Sequence, residues 1–448
     1  MAATSRRPAL SHAASAPPGG TSAFSAPSAP ASASTSAAAD SVPLGTPTTS
    51  LHGDERKKYE RRASAAIEAF RLISAWPQLE SMYKIMGKVG EGSFSIVYKA
   101  IDLRQDKLQT VRGLHSKYVA IKHVHPSAGS ERILSEVRLL AELRGHPNVA
   151  SLVDLHRFEH HILLIMPYWN HMQWNDYFRV LPVPEFRFYF SCLFAALKFC
   201  HEKGIIHRDV KPNNFIYDPR RRHGVLVDFG LAQHYHPPAK KSARSAPLSQ
   251  SLRPLSTSAA DLLDPTGSSN SHYTNPELLL GAHQPAELLH DQRRAIDANR
   301  AGTRGFRAPE VLFKVQNQTP VVDVWSAGVT LLSFMTRKFP FFPSDNDTFA
   351  LQEIAVIFGS RAIRSLASKF DRIFLSTLPN IPKDGVPLRD LVYSLNQREF
   401  FEMPTEALDF LNKCLTLDPN KRMTADQAVN HVYLRGVSSL GCEPVEEE

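Results

Sequence analysis

The stretch "GIIHRDVKPNNFIYDPRRRHGVLVDFG", residues 204–230, places one carboxylate at each end of a short pair of apolar runs. Asp209 follows Ile205 and Ile206 in a loop, with Lys211 two residues on and Asn214 five. Asp228 closes the second run, just before Phe229 and Gly230. Charged groups beside buried strands are costly unless something pairs them. Asp209 is placed to accept or orient a hydroxyl proton, and Lys211 to neutralise charge on a transferred phosphoryl group. Asn214 and Asp228 offer hard oxygen ligands of the kind magnesium takes. The competing reading is two surface turns rich in Asp and Asn; agreement of residue type and spacing at four positions favours the first.

Outward from that stretch, the chain changes texture several times. Residues 1–53 are Ala, Ser, Pro and Thr with few aromatics, and such a segment buries too little to offset chain entropy, so it is expected to be disordered. Residues 54–82 begin with "DERKKYERRASAAIEAFRLI" (54–73), an amphipathic helical pattern whose basic run is either a solvated face or a nuclear import signal. From Tyr83, "YKIMGKVGEGSFSIVYKAIDL" and "YVAIKHV" read as strands, as does "ILLIMPYW" (162–169). "SERILSEVRLLAELRG" (130–145) reads as a helix capped by Ser130 and ended by Gly145. "VPEFRFYFSCLFAALKFCHEKG" (183–204) is a second helix, with Pro184 at its start and Phe186, Phe190, Leu193 and Leu197 on one stripe. Later segments are mostly helical, so a strand-rich part precedes a larger helical part. Residues 235–298 resemble the N-terminal tail in composition and are expected to be a disordered insertion carrying a short helix near "PAELLHDQRRAID". Residues 436–448 form an acidic tail.

Composition bounds the answer more loosely. The 448 residues are 43% hydrophobic, enough for one large or two small cores. The net charge of +8 permits an acidic partner but equally fits a solvated basic surface. The four cysteines (Cys192, Cys200, Cys414, Cys442) lack metal-site spacing, and Cys192 and Cys200 fall within an apolar helical pattern, as buried thiols in a reducing compartment do. No run approaches the length of a membrane span, and the start lacks a secretion signal's apolar core.

Two further features support the nucleotide reading. Gly90 and Gly92, in "GEGSFSIV" (90–97), sit between two strands where bare backbone can approach phosphate oxygens. A strand follows rather than a helix, which excludes a dinucleotide-binding fingerprint. Lys122, in "VAIK", needs an anion at an inward strand position, and Glu136 on the following helix is its natural partner.

Together Gly90, Gly92, Lys122, Glu136, His207-Arg208-Asp209, Asn214, Asp228-Phe229-Gly230 and Ala308-Pro309-Glu310 resemble the signature of the eukaryotic protein kinases, over about residues 83–435. That resemblance implies an α+β bilobal fold: a small β-rich lobe (83–166) with one main helix, a hinge (167–172) and a larger helical lobe (173–435). It implies ATP and Mg2+ as cofactors and Asp209, Lys211, Lys122 and Glu136 as catalytic residues. Val89, Gly90, Glu91, Gly92, Ser93, Val97, Ala120, Lys122, Met166, Pro167, Tyr168 and Ile216 would line the nucleotide pocket, with Met166 the gatekeeper, and Asn214 and Asp228 would hold metal. His207, Phe229 and Gly230 would be internal packing residues. Asp323, in "DVWSAG", would brace the catalytic loop, and Arg422 would partner Glu310. Ser95 stands where the family has its third loop glycine, implying a stiffer loop.

Lys211 and "GTRGF" (302–306) resemble the Ser/Thr class, in which Thr303 would bond the catalytic loop. "AGTRGFRAPEVL", "NQTPVVDVWSAGV" and the long insertion resemble the cell-division-cycle-seven, or replication-origin, kinase family, with Arg304 in place of the family's Pro. That resemblance implies a nuclear enzyme acting on protein substrates, subunits of the minichromosome-maintenance helicase, and an activating regulatory subunit. Neither direct nucleic-acid binding nor a membrane is expected. Arg304 and Arg307 lie where the residue after the target hydroxyl docks, and would favour an acidic neighbour; an internal ion pair is the alternative for Arg307. The apparent shortness of the Glu136 helix, and about eighty residues between Asp228 and Glu310, also fit dependence on a bound subunit. A cyclin-dependent or casein-type kinase and a pseudokinase scaffold are the competing readings.

Overall fold

The computed structural model describes residues 67, 70, 72–74, 76–92, 95–104, 117–125, 129–158, 161–235, 301–376, 378 and 381–437. The N-terminal tail, the basic run at 54–62, Ser93, nearly all of the insertion, Cys442 and most of the acidic tail lie outside them.

Five antiparallel strands form the small lobe: β1 (Tyr83–Gly92), β2 (Ser95–Asp102), β3 (Tyr118–Val124), β4 (Asp154–Phe158) and β5 (His161–Pro167), in the order β1-β2-β3-β5-β4. Strand alternation splits their side chains between two cores. Val119, Ile121, Leu163 and Ile165 face outward into a small cluster with Leu72, Trp76 and Leu79. Val124 and Leu164 face inward and join the main core. The segment before β1 therefore covers the back of the sheet.

Helix α1 (Ser130–Glu142) packs on the inward side, burying Ile133, Glu136, Leu139 and Leu140. Ser130 does not cap it. Gly129, at φ 76°, occupies the cap position and offers no side-chain oxygen, so Ser130 is the first helical residue. The helix is thirteen residues long, close to the mean for globular proteins rather than short.

The large lobe is built around α2 (Phe186–Glu202) and α3 (Val321–Thr336). A 3-10 turn, Val183–Glu185, carries Pro184 into α2, whose Phe186, Phe190, Leu193 and Leu197 are all buried. Every residue of α3 is buried, as expected of a helix that is apolar all round. Two small ladders, β6 (Ile205–Ile206) with β9 (Gln233–His234) and β7 (Phe215–Asp218) with β8 (His223–Leu226), lie beside α2. Gly224 in β8 admits the Phe215 ring: a Cβ there would come within 2.3 Å of it. Helices α4 (Asp347–Phe358), α5 (Ser360–Lys369), α6 (Leu388–Leu395), α7 (Thr405–Cys414) and α8 (Ala425–Val429) complete the lobe. The fold is the α+β, bilobal arrangement that the motif set implies.

Candidate active site

The loop between β6 and the 3-10 turn Pro212–Asn214 is fixed from beneath. Fully buried Asp323, at the start of α3, accepts from the backbone N–H groups of His207 and Arg208, each at 2.8 Å, and from the His201 ring at 2.9 Å. Burial alone would raise its carboxyl; the His201 bond and charge, helped by His207, hold it below the usual range. The Asp209 N–H points at His207 Nδ1 (3.3 Å), so that nitrogen accepts and Nε2–H donates to the Val227 carbonyl at 3.0 Å. The same ring meets the edge of Phe229, 4.9 Å between centroids.

Asp209 is thereby aimed at a cluster of donors. Its Oδ1 accepts from Thr303 N (2.8 Å) and Thr303 Oγ1 (2.7 Å), and its Oδ2 from Lys211 Nζ (2.8 Å) and Asn214 Nδ2 (2.9 Å). Lys211 also donates to Thr303 Oγ1 at 2.8 Å. Burial again pushes the carboxyl up, but Lys211, then Thr303 and His207, hold it below the usual carboxylate range. Asn214 spends its amide group on Asp209, through Oδ2 and the backbone oxygen at 2.8 Å, leaving Oδ1 as the atom it can offer a cation.

Asp228 lies just past β8 with φ 63°, a strained backbone for a non-glycine residue. Its Oδ1 is 3.0 Å from Lys122 Nζ, which is itself 2.6 Å from Glu136 Oε1. Burial works against the Lys122 charge, yet Glu136 and then Asp228 outweigh it and raise its pKa. Burial likewise opposes the Asp228 charge, and Lys122 holds that carboxyl low. By surface area the Asp228 side chain is about half exposed (49%). One ammonium thus ties α1 and β3 to the end of β8. The remaining oxygen of Asp228 and Asn214 Oδ1 are the hard donors that suit a magnesium-type ion completing its shell with phosphate and water.

The other expected pocket residues fall on the surrounding strands. Val97 pairs with Lys122 across β2 and β3, and Ala120 with Met166 across β3 and β5. Val89, Gly90, Glu91 and Gly92 lie on β1, and Ile216 on β7. Pro167 ends β5; the Tyr168 N–H then bonds the Tyr118 carbonyl at 3.1 Å. Lys99 sits 4.3 Å from both the Tyr118 and Tyr168 ring centroids.

Below the loop, Gly302 (φ 105°) lies so close that a Cβ would be 2.3 Å from the Arg208 carbonyl. Arg307 pairs with Asp347 at 2.5 Å and with the Gly302 carbonyl at 2.9 Å, so its guanidinium is engaged internally. Arg304 is exposed and donates to the Asp345 carbonyl. Glu310 and Arg422 form a buried bidentate pair at 2.6 and 2.9 Å.

Sequence reasoning missed three contacts. Arg132, one helical turn before Glu136, donates to the Gly230 carbonyl at 2.8 Å; the i, i+4 spacing could have found it. His201 on Asp323 and Gln318 on the Arg208 guanidinium (2.5 Å) carry no local signal.

Comparisons with known proteins identify the family. The protein kinase domain family matches residues 83–285 and 285–434. The cell cycle serine/threonine-protein kinase hsk1 of Schizosaccharomyces pombe is 37% identical over 82% of this chain and 75% of its own. The cell cycle protein kinase spo4 of the same yeast is 33% identical over 84% of this chain and 91% of its own. The human cell division cycle 7-related protein kinase is 28% identical over 82% and 92%. A protein kinase transfers the terminal phosphoryl group of metal-bound ATP to a protein hydroxyl. The chain belongs to the protein kinase family and, within it, to the Cdc7-like cell-cycle serine/threonine kinases.

Proposed function

We propose that this kinase works through Asp209, Lys211, Lys122, Glu136, Asn214 and Asp228, with Mg2+ as its metal, on acidic-context sites of replicative helicase subunits in the nucleus. The convergence of Thr303, Lys211 and Asn214 on the Asp209 carboxylate carries this reading. That carboxylate stays ionised and can orient or accept the proton of an incoming hydroxyl. Lys211 stands 2.8 Å from it, where its charge offsets negative charge developing on the transferred group. Lys122, steadied by Glu136, positions phosphates. The metal, held by Asn214 and Asp228, neutralises phosphate charge when bound. Val89, Gly90, Glu91, Gly92, Val97, Ala120, Met166, Pro167, Tyr168 and Ile216 enclose the nucleotide; Ser93, expected with them, lies outside the described residues. Arg304, the exposed one of the two docking arginines, is the group that favours an acidic residue after the target.

The proposed regulatory subunit has a narrower task than building the site. Glu136 already bonds Lys122 in this chain, so a subunit on the small lobe would act by keeping that arrangement populated. Asp209→Asn is expected to retain nucleotide binding and to lose phosphotransfer by a factor of about 10² to 10⁴. Full turnover in that variant would refute the role of Asp209. Purified chain is expected to phosphorylate acidic peptides faster once nuclear extract is added. Preference for Pro-directed peptides, or full activity without extract, would refute the substrate and activator assignments and leave the catalytic one standing.

A further inference from the structure

Among the described residues the outward face of the small-lobe sheet carries four histidines that phosphoryl transfer does not use; His156 on β4 is engaged with the Tyr83 hydroxyl at 3.1 Å, and the other three gather at the β3–β5 end. His123 lies opposite Leu163 across β3 and β5, and Leu163 belongs to the outer core. His161, two residues before Leu163, and His125, two after His123, share that face by strand alternation. His123 Nε2 stands 3.0 Å from His161 Nδ1, with ring centroids 5.2 Å apart; the His125 ring is 6.1 Å from that of His123. All three are half-buried and keep a route to solvent. Two imidazole nitrogens aimed at each other share either one proton or one metal ion.

We propose that His123 and His161 form a binding site for a divalent late-transition-metal ion, with His125 as an additional ligand. Among the described residues no three His, Cys, Asp or Glu side chains already converge on one point, so the preformed element is the pair, and His125 joins by turning about its side-chain bonds. With nitrogen–metal bonds of about 2.05 Å, adjacent ligands of a square-planar or octahedral ion stand about 2.9 Å apart, and those of a tetrahedral ion about 3.3 Å. The observed 3.0 Å is within the range of Cu2+, Ni2+ and, with slight opening, Zn2+, once both rings turn their lone pairs off the line between the two nitrogens. Ligation needs neutral imidazole. On binding, the proton between the two nitrogens moves to the far nitrogen of its own ring. Two nitrogen–metal bonds replace one hydrogen bond, and no proton leaves while both rings are neutral. A hard ion such as Mg2+ prefers oxygen and does not compete. The bound ion would pin β3 to β5 immediately behind Lys122.

The test uses the full chain with one equivalent of Cu2+, read by electron paramagnetic resonance, and thermal unfolding with Ni2+, Zn2+ or Mg2+. Two or more imidazole nitrogens on copper are expected. A rise in Tm is expected with Ni2+ and Zn2+ but not Mg2+, lost in His123→Gln and His161→Gln, with basal phosphotransfer unchanged in His161→Gln. Fewer than two nitrogens in the wild-type spectrum would overturn the site whether or not the variants fold. So would a spectrum and Tm rise unchanged in the double variant, which would place the metal elsewhere among the 19 histidines.

Discussion

Asp209 accepts four hydrogen bonds from side-chain and backbone donors, and Asp228 faces Lys122. Both carboxyls therefore titrate below the ordinary range of about 4. A depressed folded pKa means the charged form is complete above the unfolded value and is lost only as pH falls through the lower folded one. The profile of kcat/KM should consequently show no acid limb from either group between about pH 8 and pH 5. An acid limb near pH 6 that moves in Asp209→Glu would contradict this. At this scale much of the proposed site was legible: Asp209, Lys211 and Asn214 lie within five residues of each other, so local spacing exposes them. Thr303 closes on Asp209 from 94 residues away, and Gln318 reaches Arg208 across 110. Such contacts leave no periodic trace; Thr303 was legible only through resemblance, and Gln318 not at all.

Among the elements, strands and long helices announced themselves through alternation and apolar stripes, because burial imposes those periods directly. Entry geometry did not. Ser130 has the chemistry of a cap, but the positive φ of Gly129 turns the chain so that the serine falls inside the helix. The segment before β1 was read as an amphipathic helix, while its service to the sheet was invisible, since the partner surface is assembled from β1, β2, β3 and β5. Trp76 is buried there at 4% exposure, with Phe158 5.6 Å away between ring centroids. Trp76→Ala should cost about 3–5 kcal/mol, seen as a lower denaturation midpoint. A loss below about 1 kcal/mol would mean that this segment does not hold the sheet.

Across the two lobes, one buried charge pair and one three-residue charge cluster tie distant segments together. Arg422 joins the loop before α8 to Glu310, and also donates to the Thr416, Val321 and Leu417 carbonyls. Arg422→Leu strands a buried carboxylate and should cost about 3–5 kcal/mol. Adding Glu310→Gln should recover part of that loss but not all, because three carbonyls still lack their donor; full recovery in denaturant titrations would assign the whole cost to the stranded charge. The cluster, in which buried Lys122 and Glu136 meet half-exposed Asp228, links small lobe to large. Taken with Asp209, Lys211 and the Arg132 guanidinium on the Gly230 carbonyl, the cleft sets three carboxylates against three cationic groups, leaving no positive surplus. A bare triphosphate finds no spare cation at that spot to cancel its charge, so the cleft favours a visitor that brings its own counter-ion. Calorimetry with a chelator present should find free ATP binding at least tenfold more weakly than its divalent-metal complex, and equal affinities would show that other cations of the chain cancel the triphosphate's charge.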